Sequence, residues 1–116
     1  SLINNVPGMG GFVYKELFCS EEGQMINWFN VQCYNSFSYE TYDNIIKNGY
    51  PPEKIVMGHE SGQFTKENFK NALDEVKKIV EEYPNMSGVY DWEYLDAPPD
   101  THDPSLWCKL MKRIIN

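Results

Sequence analysis

Asn30, Gln32, Tyr34 and Asn35 fall within one apolar stretch, Asn27 to Asn35, which reads Asn-Trp-Phe-Asn-Val-Gln-Cys-Tyr-Asn. Side chains alternate across a strand, so Asn30, Gln32 and Tyr34 share one face while Phe29, Val31 and Cys33 share the other. Amides and a phenol offer hydrogen bonds rather than nucleophilic attack or charge. Buried without partners they are costly, so a strand that carries them asks for a neighbouring strand or a ligand. Other chemistry-bearing residues suggest less. His59 and Glu60, even with His102, lack the helical His-x-x-x-His geometry of a zinc site and read as a solvated loop. Glu60 has nothing nearby in sequence to raise its pKa and reads as a rim residue. The group Glu93, Asp96, Asp100 and Asp103 reads as a solvated face and helix cap. Asp91 points away from Tyr90 and Trp92, with a helix-end Lys or Arg as its expected partner, or it marks a bulge. No metal site and no cofactor are expected.

The elements that would position these groups alternate in type. Ser1 to Gly11 is a loop by its Pro7-Gly8 and Gly10-Gly11 turn signals. Phe12 to Cys19 suits a short helix or a strand, and Met25 and Ile26 lead into the first strand. Ser38 is a helix cap, Tyr39, Tyr42, Ile45 and Ile46 lie on one helical face, and Gly49 followed by Pro51 and Pro52 ends that helix. Lys54 to Gly58 is a β-branched strand closed by Gly58. Thr65 caps the next helix, with Phe64 and Phe69 as a hydrophobic staple, and Phe69, Leu73, Val76, Val80 and Tyr83 form its buried stripe as far as Pro84. Met86 to Trp92 is the third strand, with Gly88, Tyr90 and Trp92 on one face. Asp103-Pro104 opens a last helix buried through Trp107, Leu110, Met111 and Ile114. This alternation predicts βαβ units and a parallel sheet, whose ligand site lies at the strands' C-terminal ends, where Tyr34, Gly58 and Trp92 fall.

The chain has 116 residues, 41% of them hydrophobic and 15% aromatic, enough for a core, and a formal net charge of -7. That charge repels nucleic acid and anionic membrane surfaces, so neither is expected as a partner; a neutral or cationic ligand fits better. No apolar run is long enough to span a bilayer. Cys19, Cys33 and Cys108 cannot all pair within one chain and make no C-x-x-C spacing, so they are expected to be free, buried thiols. Asn85-Met86-Ser87 is a glycosylation sequon, relevant only to a secreted protein. The compartment stays open.

Three strand ends, Val31-Gln32-Cys33-Tyr34-Asn35, Ile55-Val56-Met57-Gly58 and Gly88-Val89-Tyr90-Asp91-Trp92, together resemble the glycoside hydrolase family 18 barrel of chitinases, endo-β-N-acetylglucosaminidases and non-catalytic sugar-binding relatives. In that family the sixth strand ends in Gln or Met, any residue, Tyr, then Asn or Asp, and the eighth ends in Trp after a glycine-led apolar run. The resemblance runs from about Ile26 to the C-terminus. It implies an α/β fold made of the C-terminal βα units, about strands six to eight, of a (β/α)8 barrel, with residues 1–116 as a single partial domain. A complete barrel needs roughly 200 to 250 residues. The open sheet edges would then be covered by the remainder of the barrel or by a second copy.

The resemblance also implies a substrate, an N-acetylglucosamine-containing oligosaccharide or chitin, and a mechanism in which the substrate's own acetamido oxygen is the nucleophile. Tyr34 would be catalytic, donating to the acetamido carbonyl; Gln32 and Asn35 would orient the sugar through their amides; Trp92 would form the apolar floor under the ring. Secretion or a lumenal site is suggested by the resemblance alone. The family's acid-bearing run, Asp-x-x-Asp-x-Asp-x-Glu, does not occur in this sequence. The alternatives are a non-catalytic carbohydrate-binding module of the same architecture, and an interaction domain that dimerises through its open edges. Taken alone, Tyr34 has as its competing role a buried phenol hydrogen-bonded to a neighbouring strand, Trp92 core packing, and Gln32 and Asn35 the satisfaction of backbone groups at a strand end.

Overall fold

The computed structural model describes residues 2–65 and 68–115. Three strands, β1 (Phe29–Gln32), β2 (Ile55–Glu60) and β3 (Gly88–Trp92), form a parallel sheet in the order β1-β2-β3. Four helices, α1 (Tyr14–Cys19), α2 (Tyr39–Lys47), α3 (Phe69–Glu82) and α4 (Ser105–Ile115), precede, separate and follow the strands. The expected α/β alternation and parallel pairing are therefore present, and the sheet is open. Phe12 to Cys19 resolves as helix rather than strand from Tyr14 onward.

Local chemistry sets the helix ends. Ser38 Oγ accepts from the Thr41 backbone N–H at 3.2 Å, a side-chain N-cap for α2. After α2 the chain turns at Gly49, whose φ of 105° lies in the region that disfavours a Cβ. Before α3, Thr65 and Asn68 exchange bonds: Thr65 N–H donates to Asn68 Oδ1 at 2.6 Å and Asn68 N–H donates to Thr65 Oγ1 at 3.3 Å. That reciprocal pattern is the physics of a capping box one turn ahead of the regular helix.

Alternation puts Ile55, Met57 and His59 of β2 on the face that the helices cover, and all three are fully buried. They pack with Tyr42 and Ile45 of α2, Phe69, Val76 and Ile79 of α3, and Trp107 and Met111 of α4. Burying aliphatic side chains of this size stabilises by about 1.5–3 kcal/mol each. The buried stripe of α3 is Phe69, Ala72, Val76 and Ile79, with Leu73, Val80 and Tyr83 only partly covered. It is rotated from the expected one because α3 packs between α2 and α4 and small Ala72 turns inward.

Two expectations fail. β2 does not stop at Gly58 but continues through Glu60, and His59 is a core residue, not part of a solvated loop. Of the cysteines, only Cys33 is buried, while Cys19 and Cys108 are exposed; all three are free thiols.

Candidate functional site

The sheet face opposite the helices carries Asn30 and Gln32 from β1, Val56, Gly58 and Glu60 from β2, and Gly88, Tyr90 and Trp92 from β3. The register aligns Gln32 with Gly58 and Gly58 with Tyr90, and one step further it aligns Glu60 with Trp92. Tyr34 lies just past β1 at this same C-terminal end. A Cβ placed on Gly58 would sit 2.3 Å from the Tyr90 ring, so the glycine is the gap through which Tyr90 leans across β2. Tyr90 thereby reaches Tyr34: burial first, and then its hydrogen bond with Tyr34, push the Tyr90 phenol well above the ordinary tyrosine range.

Trp92 stands one pleat beyond Tyr90, with its side of the sheet open; it is 60% exposed. The Gln32 side-chain amide has no hydrogen-bond partner among the described residues. Asn35 differs, because its Oδ1 accepts from Gln63 Nε2 at 2.5 Å, leaving its NH2 group available. Gln63 belongs to the 3-10 turn Ser61–Gln63 that follows β2. Ser61 Oγ in turn donates to the Glu93 carbonyl at 2.9 Å, tying the ends of β2 and β3 together. The Trp92–Glu93 peptide bond is cis.

Gln32, Tyr34 and Trp92 thus gather at one end of the sheet, and Asn35 lies in the turn just beyond β1 at that end. Tyr90 was missed by sequence reasoning; the signal available was Gly58, whose neighbours in register are Gln32 and Tyr90. Beneath the site, on the helix side, the Cys33 thiol is pushed up to about 11 by burial, opposed by a backbone hydrogen bond at Gly58.

Asp91 also departs from expectation in its partner. It points toward the helices as alternation requires, but its Oδ1 meets His59 Nδ1 at 3.2 Å, not a Lys or Arg. Phe37 and Phe64 rings lie 4.9 and 4.4 Å from the His59 ring, and Trp107 stacks at 5.7 Å. This pair is enclosed by aromatic packing; no group of three or more His, Cys, Asp or Glu able to hold a metal occurs among the described residues.

No protein-family model and no curated protein matches the chain. Solved structures do. A fungal endo-beta-N-acetylglucosaminidase from glycosyl hydrolase family 18 is similar at a TM-score of 0.80 and 28% identity, over 98% of this chain and 42% of its own. A chitinase from Aspergillus fumigatus is similar at 0.63 and 28% identity, over 94% of this chain and 43% of its own. The chain therefore spans about two fifths of the length of either structure. In structure, the chain matches part of a glycoside hydrolase family 18 domain.

Proposed function

We propose that this chain supplies about strands six to eight of a family 18 barrel whose complete form cleaves β-1,4 linkages in N-acetylglucosamine glycans with retention. The observation that carries this reading is the meeting of two phenols, from β1's end and from β3, above Gly58, with an exposed indole one pleat further on. The Tyr34 phenol carries one O–H donor, and the reading directs it to a ligand. In the proposed reaction that ligand is the substrate's acetamido carbonyl. Its oxygen attacks the anomeric carbon, the glycosidic C–O bond breaks, and positive charge spreads into the acetamido group. The Tyr34 hydrogen bond holds that oxygen on line for attack, which is a positional contribution as much as an electrostatic one. Trp92 carries the ring's C–H face, and Gln32 and the free NH2 of Asn35 orient the sugar.

The leaving oxygen needs a proton. No residue of this sequence lies in the family's acid motif, and the reading assigns that carboxylic acid to barrel units outside the chain. The same units would cover the free edges of β1 and β3. The likeness to both an endo-β-N-acetylglucosaminidase and a chitinase supports N-acetylglucosamine as the recognised unit. A fluorogenic N-acetylglucosamine oligomer tests the reading: the complete protein is expected to release the fluorophore with retained anomeric configuration. Binding without release would favour a non-catalytic carbohydrate-binding module, and neither binding nor release would remove the sugar reading.

A further inference from the structure

We infer that Glu60 is a sugar-hydroxyl acceptor that sets the glycan specificity of the site, an inference that rests on the carbohydrate reading of Tyr34 and Trp92. Glu60 is the last residue of β2 and pairs in register with Trp92. His59 before it turns into the helix-side core, so alternation sends Glu60 to the face that Gly58 leaves open for Tyr90. The carboxylate and the indole are therefore neighbours on adjacent strands, beside the two phenols.

Among the half-buried carboxylates of the described residues, the state of this one sets it apart. Asp43 is engaged by Lys47 and Tyr83, Asp74 by Lys77, Glu75 by Lys78, and Asp91 by His59. Glu60 is half-buried, yet its side chain has no hydrogen bond or ion pair with any described residue. Its backbone is held by strand pairing with β3, and its carboxylate oxygens reach solvent. An acceptor at a paired strand end next to a flat apolar surface matches a pyranose, which presents C–H groups on one face and O–H donors around its rim. Hydrogen bonds to an ionised acceptor are the strong kind. The same charge repels glycans bearing carboxylates, so the unit resting on Trp92 is neutral.

Steady-state hydrolysis of a fluorogenic N-acetylglucosamine trimer by the complete protein tests this, with Kd in place of KM if the protein binds without cleaving. Glu60→Ala is expected to raise KM about tenfold to a hundredfold with kcat changed less than about threefold. Glu60→Gln, which keeps the shape and one acceptor oxygen, is expected to raise it less and serves as the control for folding. An unchanged KM in Glu60→Ala, beside a raised KM in Trp92→Ala, would overturn the role of Glu60 and leave the sugar reading standing. Loss of kcat at constant KM in Glu60→Gln would instead make Glu60 a proton donor and overturn the binding role. No interaction of the wild-type protein with the trimer would bring down both.

Discussion

The two faces of this sheet solve opposite problems with the same three strands. On the helix side, Ile55 and Met57 are sealed by α2, α3 and α4, and even the ionisable residues there, His59 and Asp91, take each other as partners. On the other side, the Gln32 and Glu60 side chains have no partner among the described residues and Trp92 stands open. Alternation along each strand separates residues that hold the fold from those that the proposed function assigns to a ligand. Substitutions on the first face should therefore cost stability, and those on the second should cost recognition.

The largest stability effect is expected from His59→Leu, which strands a buried carboxylate at Asp91 and should destabilise the complete protein by about 3–5 kcal/mol in denaturant unfolding. Replacing both partners by Leu should recover most of that loss, since no unpaired charge remains. Met57→Ala empties a fully buried position and should cost about 2–5 kcal/mol. Trp92→Ala, on the open face, should change stability by no more than about 0.5 kcal/mol while weakening glycan binding. A large stability loss there would mean that the indole is core and would erase the contrast between the faces.

The smallest effect concerns pH. A hydrogen bond from Lys47, and then one from Tyr83, hold the Asp43 carboxyl below its ordinary range. A depressed folded-state pKa contributes stability above the unfolded value and loses it as pH falls through the folded one. Asp43→Asn should therefore lower stability slightly at neutral pH and remove part of the fall below about pH 4, so that the variant and wild-type profiles converge in acid, as pH-dependent melting would record.

Much of the scaffold was legible locally. Ser38 caps α2 through its own hydroxyl, the β-branched run at Ile55 and Val56 forms strand, and the period-two alternation puts Asn30 and Gln32 opposite Phe29 and Val31. Gly58 misled because glycine usually punctuates a strand; here it sits inside one, where Tyr90 from another strand needs the space of a missing side chain. His59 was misread for the same reason, since its partner Asp91 and its aromatic enclosure come from elements distant in sequence. The exposure of Cys19 and Cys108 likewise depends on which side of α1 and α4 meets the sheet. Of the candidate site, Gln32, Tyr34, Asn35 and Trp92 could be named from strand-end chemistry and family resemblance, whereas the Tyr90 to Tyr34 bond requires the register.

The most direct test is Tyr34→Phe in the complete protein, assayed for both hydrolysis and affinity with an N-acetylglucosamine oligomer. Loss of a donor used in the transition state should lower kcat by about a hundredfold to a thousandfold while Kd stays nearly constant. Unchanged turnover, or a fall in affinity that accounts for the whole loss, would contradict the role assigned to this phenol.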